Sequence, residues 1–252
     1  MPRSTWVFAL LLLLVTAGGA FADITMQFGS PGSNIWQDVY SSPYTATDSA
    51  TGDLLTLYCI DFNDEIDPPT TWQANINALS PSNISDFQFG GISSHYVLTF
   101  NGTTITATST DLSTSGLSPY DLYLEAAWLM GQAANQTLQV SEQEYQVAAW
   151  SLFVNSSNTL FANSPNIDTL TTWIDASGPV FAQAVVTDLG QARANYGKVD
   201  AADWSVVTGD SAANGEAVQE FLIHTPEPSA VILFGTVLLL VCTALRRRMR
   251  LS

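Results

Sequence analysis

Positive charge is nearly missing from the interior of this 252-residue chain. Of its 7 Lys and Arg, Arg3 lies near the start and Arg246, Arg247, Arg248 and Arg250 near the end, so residues 23–225 hold only Arg193 and Lys198. All of the 23 acids except Glu227 fall in that stretch, which gives it a formal charge of about −20. Such a surface repels phosphate and excludes nucleic acid as a partner. Histidine and cysteine are scarce too, at two each. Cys242 lies in an apolar run near the C-terminus, so the stretch between the ends keeps one cysteine, Cys59, and cannot form an internal disulfide. Gly-x-Ser-x-Gly, His-Glu-x-x-His and phosphate-loop motifs are all missing, and no cofactor or metal is implied.

Long apolar runs occur only at the two ends. Trp6 to Ala17 follows Arg3, and Ala20-Phe21-Ala22 then offers small residues at the −3 and −1 positions of a signal-peptidase site. This pattern predicts a cleaved signal peptide over 1–22, with Asp23 as the first mature residue. Near the C-terminus, Pro226-Glu227-Pro228 precedes an apolar run from Ala230 to Leu245 and the basic cluster Arg246, Arg247, Arg248 and Arg250. The run approaches the length needed to cross the hydrocarbon core as a helix over 229–245, with the arginines held on the cytoplasmic side. Residues 23–225 are then expected outside the inner membrane.

This order of Pro-Glu-Pro, short span and basic terminus resembles the PEP-CTERM sorting signal of bacterial envelope proteins. The resemblance covers 226–252. It implies an exosortase-type processing enzyme as a partner besides signal peptidase, an inner-membrane-anchored precursor, and a final place at the cell surface or in the extracellular matrix.

The exported region, 23–225, reads as α+β: a β-rich domain, sandwich or barrel-like, with a helical subdomain. Ile24, Met26 and Phe28 alternate, as do Leu55, Leu57, Cys59 and Asp61 against Leu54, Tyr58, Ile60 and Phe62. Asn101-Gly102, between two strand-like runs, predicts a hairpin with a two-residue type I′ turn. Ser118-Pro119-Tyr120-Asp121 predicts a capping box opening a helix over 122–134, with Leu124, Ala127, Trp128 and Gly131 on one face. Ser141 and Glu144 predict a second box before a helix at 145–154. Further helices are expected at 167–176 and 180–196, and strands between Trp204 and His224.

Leu57-Tyr58-Cys59-Ile60-Asp61 on a strand and Tyr145-Gln146-Val147-Ala148-Ala149-Trp150 on a helix resemble the two signature segments of thioester surface-protein domains. The resemblance spans about 54–154. It implies a bond between the Cys59 sulfur and the Gln146 side-chain carbonyl, formed with loss of ammonia and opened by a nucleophile on a partner. Tyr145 stands where that family usually has threonine. The helix N-terminus near Gln146 is expected to supply N–H groups to the oxyanion. The resemblance implies a covalent adhesin or matrix crosslinker, not a turnover enzyme, whose target is an exopolysaccharide or a surface protein. The alternative is a carbohydrate-binding or carbohydrate-active matrix protein.

Weaker patterns complete the inventory. Asp61 to Asp67 gathers carboxylates without EF-hand spacing and reads as a solvated acidic loop. Thr104, Thr106, Thr108 and Thr110 form one alternating row, where an ice-binding surface repeats many. The tryptophans at 36, 72, 128, 150, 173 and 204 read as core first and as a carbohydrate platform second, and His95 and His224 read as structural.

Overall fold

The computed structural model describes residues 24–30, 35–62, 71–136, 138–154, 166–209 and 219–224. The signal-peptide site at Ala20, Ala22 and Asp23, the acidic stretch after Phe62, and the whole tail from Pro226 through Arg250 lie outside them. Among the described residues no helix is long and apolar enough to cross a membrane.

Six strands close into an antiparallel barrel. These are β1 (Ile24–Ser30), β4 (Tyr44–Asp48), β5 (Leu54–Cys59), β6 (Thr71–Ala78), β9 (Trp204–Gly209) and β10 (Phe221–His224), in the order β1-β4-β5-β10-β9-β6. The alternation expected in the sequence supplies the inner face. Met26 pairs with Trp72, Phe28 with Ala46, Tyr44 with Leu57, and Cys59 with Phe221, so all eight side chains point the same way; all are buried. An aromatic chain fills the lumen. Phe28 lies 5.6 Å from Tyr44 and 6.2 Å from Trp72, and Phe221 lies 5.9 Å from Tyr44 and 6.4 Å from Trp72.

Two ribbons stand outside the barrel: β2 (Ile35–Trp36) with β3 (Val39–Tyr40), and β7 (Ser94–Phe100) with β8 (Ile105–Asp111). The second is the expected hairpin with a different turn. Phe100 pairs with Ile105, so the loop has four residues, and Gly102 at φ +91° is its only positive-φ residue. Asn101 instead accepts the Thr103 and Thr104 N–H groups on its side-chain oxygen, a local bond that competes with a type I′ turn. Positive φ at both central residues, the type I′ signature, occurs in the β2–β3 hairpin, at Gln37 (+50°) and Asp38 (+67°).

Four long helices follow: α1 (Pro119–Ala133), α2 (Gln139–Phe153), α3 (Ile167–Ala176) and α4 (Pro179–Asn195). The Ser118 capping box forms as expected, with reciprocal Ser118 and Asp121 bonds. The deeply buried face of α1 carries Leu122, Tyr123, Ala126, Leu129 and Met130; Trp128 and Gly131, on the expected face, are only half-buried. The Ser141 box does not form. Helix α2 starts six residues earlier than the sequence suggests, with Leu138 as an N-cap that makes no side-chain bond. Leucine has no acceptor to cap with, so burial of Gln146 through Phe153 holds this helix in place of end chemistry. Helices α1, α2 and α4 pack on one another, and the Arg193 guanidinium of α4 pairs with the buried Glu125 carboxylate of α1.

Candidate functional site

Strand β5 ends where helix α2 reaches the barrel, and the two expected site residues meet there. Cys59 is fully buried and Gln146 is 1% exposed. The Gln146 amide is held at both ends: Nε2 donates to the Cys59 carbonyl at 2.5 Å, and Oε1 accepts the Ser42 N–H at 3.1 Å. Ser42 also reaches the strand itself, because its Oγ accepts the Cys59 N–H at 2.7 Å. The thiol donates to the Asp61 carbonyl at 3.1 Å, and the Trp150 indole N–H, one turn along α2, approaches Sγ at 3.5 Å.

The chemistry of this arrangement follows from the polarity of each partner. An N–H on Oε1 draws electron density from the carbonyl carbon and can stabilise negative charge that develops on the oxygen. An indole N–H on sulfur favours thiolate over thiol. Burial excludes water, which would hydrolyse an acyl group. The N–H on the Gln146 amide oxygen does not come from the expected place. Gln146 is the eighth residue of α2, beyond the helix's unsatisfied N–H groups, and the donor is Ser42, in the segment before β4. Nothing in the sequence around Ser42 marks it for this contact, since the bond spans 104 residues.

An aromatic cluster lies over Trp150. Trp36, on the β2–β3 hairpin, is 6.2 Å from Trp150 and stacks on Phe181 at 5.5 Å and 15°; Phe62 is 5.2 Å from Trp150. Trp36 also donates to Ser177 Oγ, and Gln143 Nε2 donates to the Ile35 carbonyl, so both ends of the cover are tied to the helices.

Beside the site sits a polar network that the sequence does not announce. Asp61, expected in a solvated loop, is fully buried and accepts Gln88 Nε2 at 2.8 Å. Glu220, also fully buried, accepts the Gln88 N–H at 2.8 Å and the Tyr123 hydroxyl at 2.5 Å. Burial pushes the Glu220 carboxyl up to about 8 and raises Tyr123 well above the usual phenol range. Burial also raises Asp188 on α4 to about 6, with Glu144 of α2 adding repulsion.

The remaining candidates are placed as follows. Trp36, Trp72, Trp150 and Trp204 are buried, and Trp128 and Trp173 half-buried. His95 is buried, and burial lowers its affinity for a proton; His224 is exposed at the end of β10. Thr106 and Thr108 are exposed on a two-stranded ribbon, one row and no array. Among the described residues no group of three or more His, Cys, Asp or Glu is placed to hold a metal. Comparison with known proteins finds no matching family model, no similar curated protein and no similar solved structure.

Proposed function

We propose that this chain is an exported envelope protein whose barrel-and-helix domain carries an internal Cys59–Gln146 thioester and uses it once, to fasten itself covalently to a matrix or surface target. The observation that carries the reading is the buried Gln146 amide, held between the Cys59 carbonyl and the Ser42 N–H, with Trp150 of the same helix reaching the Cys59 sulfur. In the formation step the thiol gives up its proton, sulfur attacks the Gln146 carboxamide carbon, and the amide nitrogen leaves with that proton as ammonia. A target amine or hydroxyl later attacks the same carbon, which leaves an amide or ester on Gln146 and a thiol on Cys59. Lys198 is the only lysine in 23–225, so few internal amines compete for the acyl group.

Export rests on the two ends: the cleavage pattern at Ala20, Ala22 and Asp23, and the Pro226-Glu227-Pro228 tail with its span and basic cluster. In this reading signal peptidase and an exosortase-type enzyme process the chain, and the inner membrane holds the precursor through 229–245.

Intact mass of purified residues 23–225 tests the bond. The expected mass is lower than calculated by one ammonia; methylamine converts it to the methylamide, and Cys59→Ala carries the full mass. A full calculated mass in the unmodified protein overturns the thioester. Cell fractionation tests the rest: export requires Asp23 as the mature N-terminus and the domain outside the cytoplasm, and an intact cytoplasmic chain refutes it.

A further inference from the structure

Neighbouring residues of β5 face opposite sides of the sheet, so Tyr58 points away from Cys59 and the lumen. On that outer side lies an open groove of about 480 Å³ between β5, α1 and the segment before β9. Tyr58 and Trp204 form its floor, with ring centroids 6.3 Å apart and planes at 61°. Trp128 forms a wall and is fixed edge-to-face against Tyr145 at 6.4 Å. Gly131 leaves the floor open: a Cβ there would lie 3.6 Å from the Trp204 ring. The rim is polar, with Gln132, Asn135, Lys198 and Asp200.

We propose that this groove binds a neutral saccharide chain. Trp128, half-buried on the wall, offers its ring to the C–H face of a sugar over a floor whose own rings are nearly covered, and the rim offers amide, ammonium and carboxylate groups to its hydroxyls. Charge decides among sugars. The chain carries −16, and among the described residues Arg193 is held by Glu125, so one exposed ammonium, Lys198, faces an acidic surface. That balance repels polyanionic glycans. An extended peptide is disfavoured because β5, β10 and β9 are each paired on both sides and offer no strand edge at the groove. The proposal is independent of the thioester, which lies on the other face of β5.

The test titrates residues 23–225, which contain every described strand and helix, with neutral gluco-, manno-, galacto- and xylo-oligosaccharides. Polygalacturonate and an unrelated acidic peptide serve as comparisons, and calorimetry and tryptophan fluorescence are the readouts. The expected result is saturable binding of at least one neutral oligosaccharide, weakened at least tenfold in Trp128→Ala and several-fold in Lys198→Ala, and unchanged in Cys59→Ala. Gly131→Leu guards against misfolding: leucine is a good helix former with room for its Cβ, so melting should hold or rise while binding is lost. The proposal is overturned by failure of every neutral sugar to saturate, by full binding in Trp128→Ala or Gly131→Leu, or by preference for the polyanion or the peptide.

Discussion

Gln146 and Cys59, 87 residues apart in the chain, are joined by a 2.5 Å hydrogen bond from the Gln146 amide nitrogen to the Cys59 carbonyl. That bond aligns the amide, and the Trp150 N–H addresses the sulfur. Trp150→Phe keeps an aromatic ring beside Trp36 and Phe62 and removes the N–H together with part of the ring's volume. Thioester formation, followed as ammonia loss by mass spectrometry during refolding, is expected to slow roughly tenfold, the kinetic equivalent of about 1.4 kcal/mol. Formation at the unmodified rate would remove Trp150 from the chemistry.

The cover over Trp150 rests on a strained turn. Gln37 and Asp38 both hold positive φ, where L-residues other than Asn and Asp lose about 1 kcal/mol. In Gln146→Ala, which cannot form the thioester, Trp36→Ala is expected to speed iodoacetamide labelling of Cys59 at least tenfold. Replacing Gln37 by Asn and Asp38 by Gly, the preferred type I′ pair, should raise the melting midpoint and slow the same labelling. Equal labelling rates in all three proteins would show that the hairpin does not control access.

Stability should fall as pH rises through neutrality. Glu220, at about 8 in the fold against 4.5 ordinarily, and Asp188, at about 6 against 3.8, both bind protons more tightly when folded. Their contribution is therefore complete below about pH 4 and is lost as pH climbs through 6 and then 8. His95 acts oppositely: its lowered proton affinity costs stability only below its ordinary value of 6.5. Denaturant midpoints measured from pH 5 to 9 should decline from pH 5 to about 8 and level off above it, by an amount on the order of a few kcal/mol for Glu220. Glu220→Gln should flatten that limb; an unchanged slope would mean that the network around Tyr123 and Gln88 absorbs the charge.

Much of this architecture is written locally. Alternation at Met26, Phe28, Leu57 and Cys59 gives the barrel's inner face, and Ser118 with Asp121 gives the start of α1, because each depends on near neighbours. The Cys59 and Gln146 segments stand out in the sequence, and the structure brings those two residues into contact. What supports them does not stand out: Ser42, Trp36, Gln88 and Glu220 act through contacts more than 100 residues away, and no local pattern encodes those meetings. The Ser141 box fails for the same reason, since packing of α2 extends the helix past the capping signal. Asp61 looks solvated beside its acidic neighbours and is buried because Gln88 reaches it.

The place of β10 decides how much of its C-terminal end the barrel can lose. This strand runs between β5 and β9 and ends at His224, two residues before Pro226. A chain ending at residue 225 keeps all six barrel strands, so a cut near Pro226-Glu227-Pro228 leaves the domain closed. A chain ending at residue 219 loses Phe221, whose ring packs on Tyr44 and Trp72, together with the Glu220 network, and exposes two strand edges. The longer form is expected to be monomeric with a cooperative melt, and the shorter to aggregate. Gel filtration and thermal melts of the two forms check this, and a stable, soluble shorter form would mean that the barrel does not need its last strand.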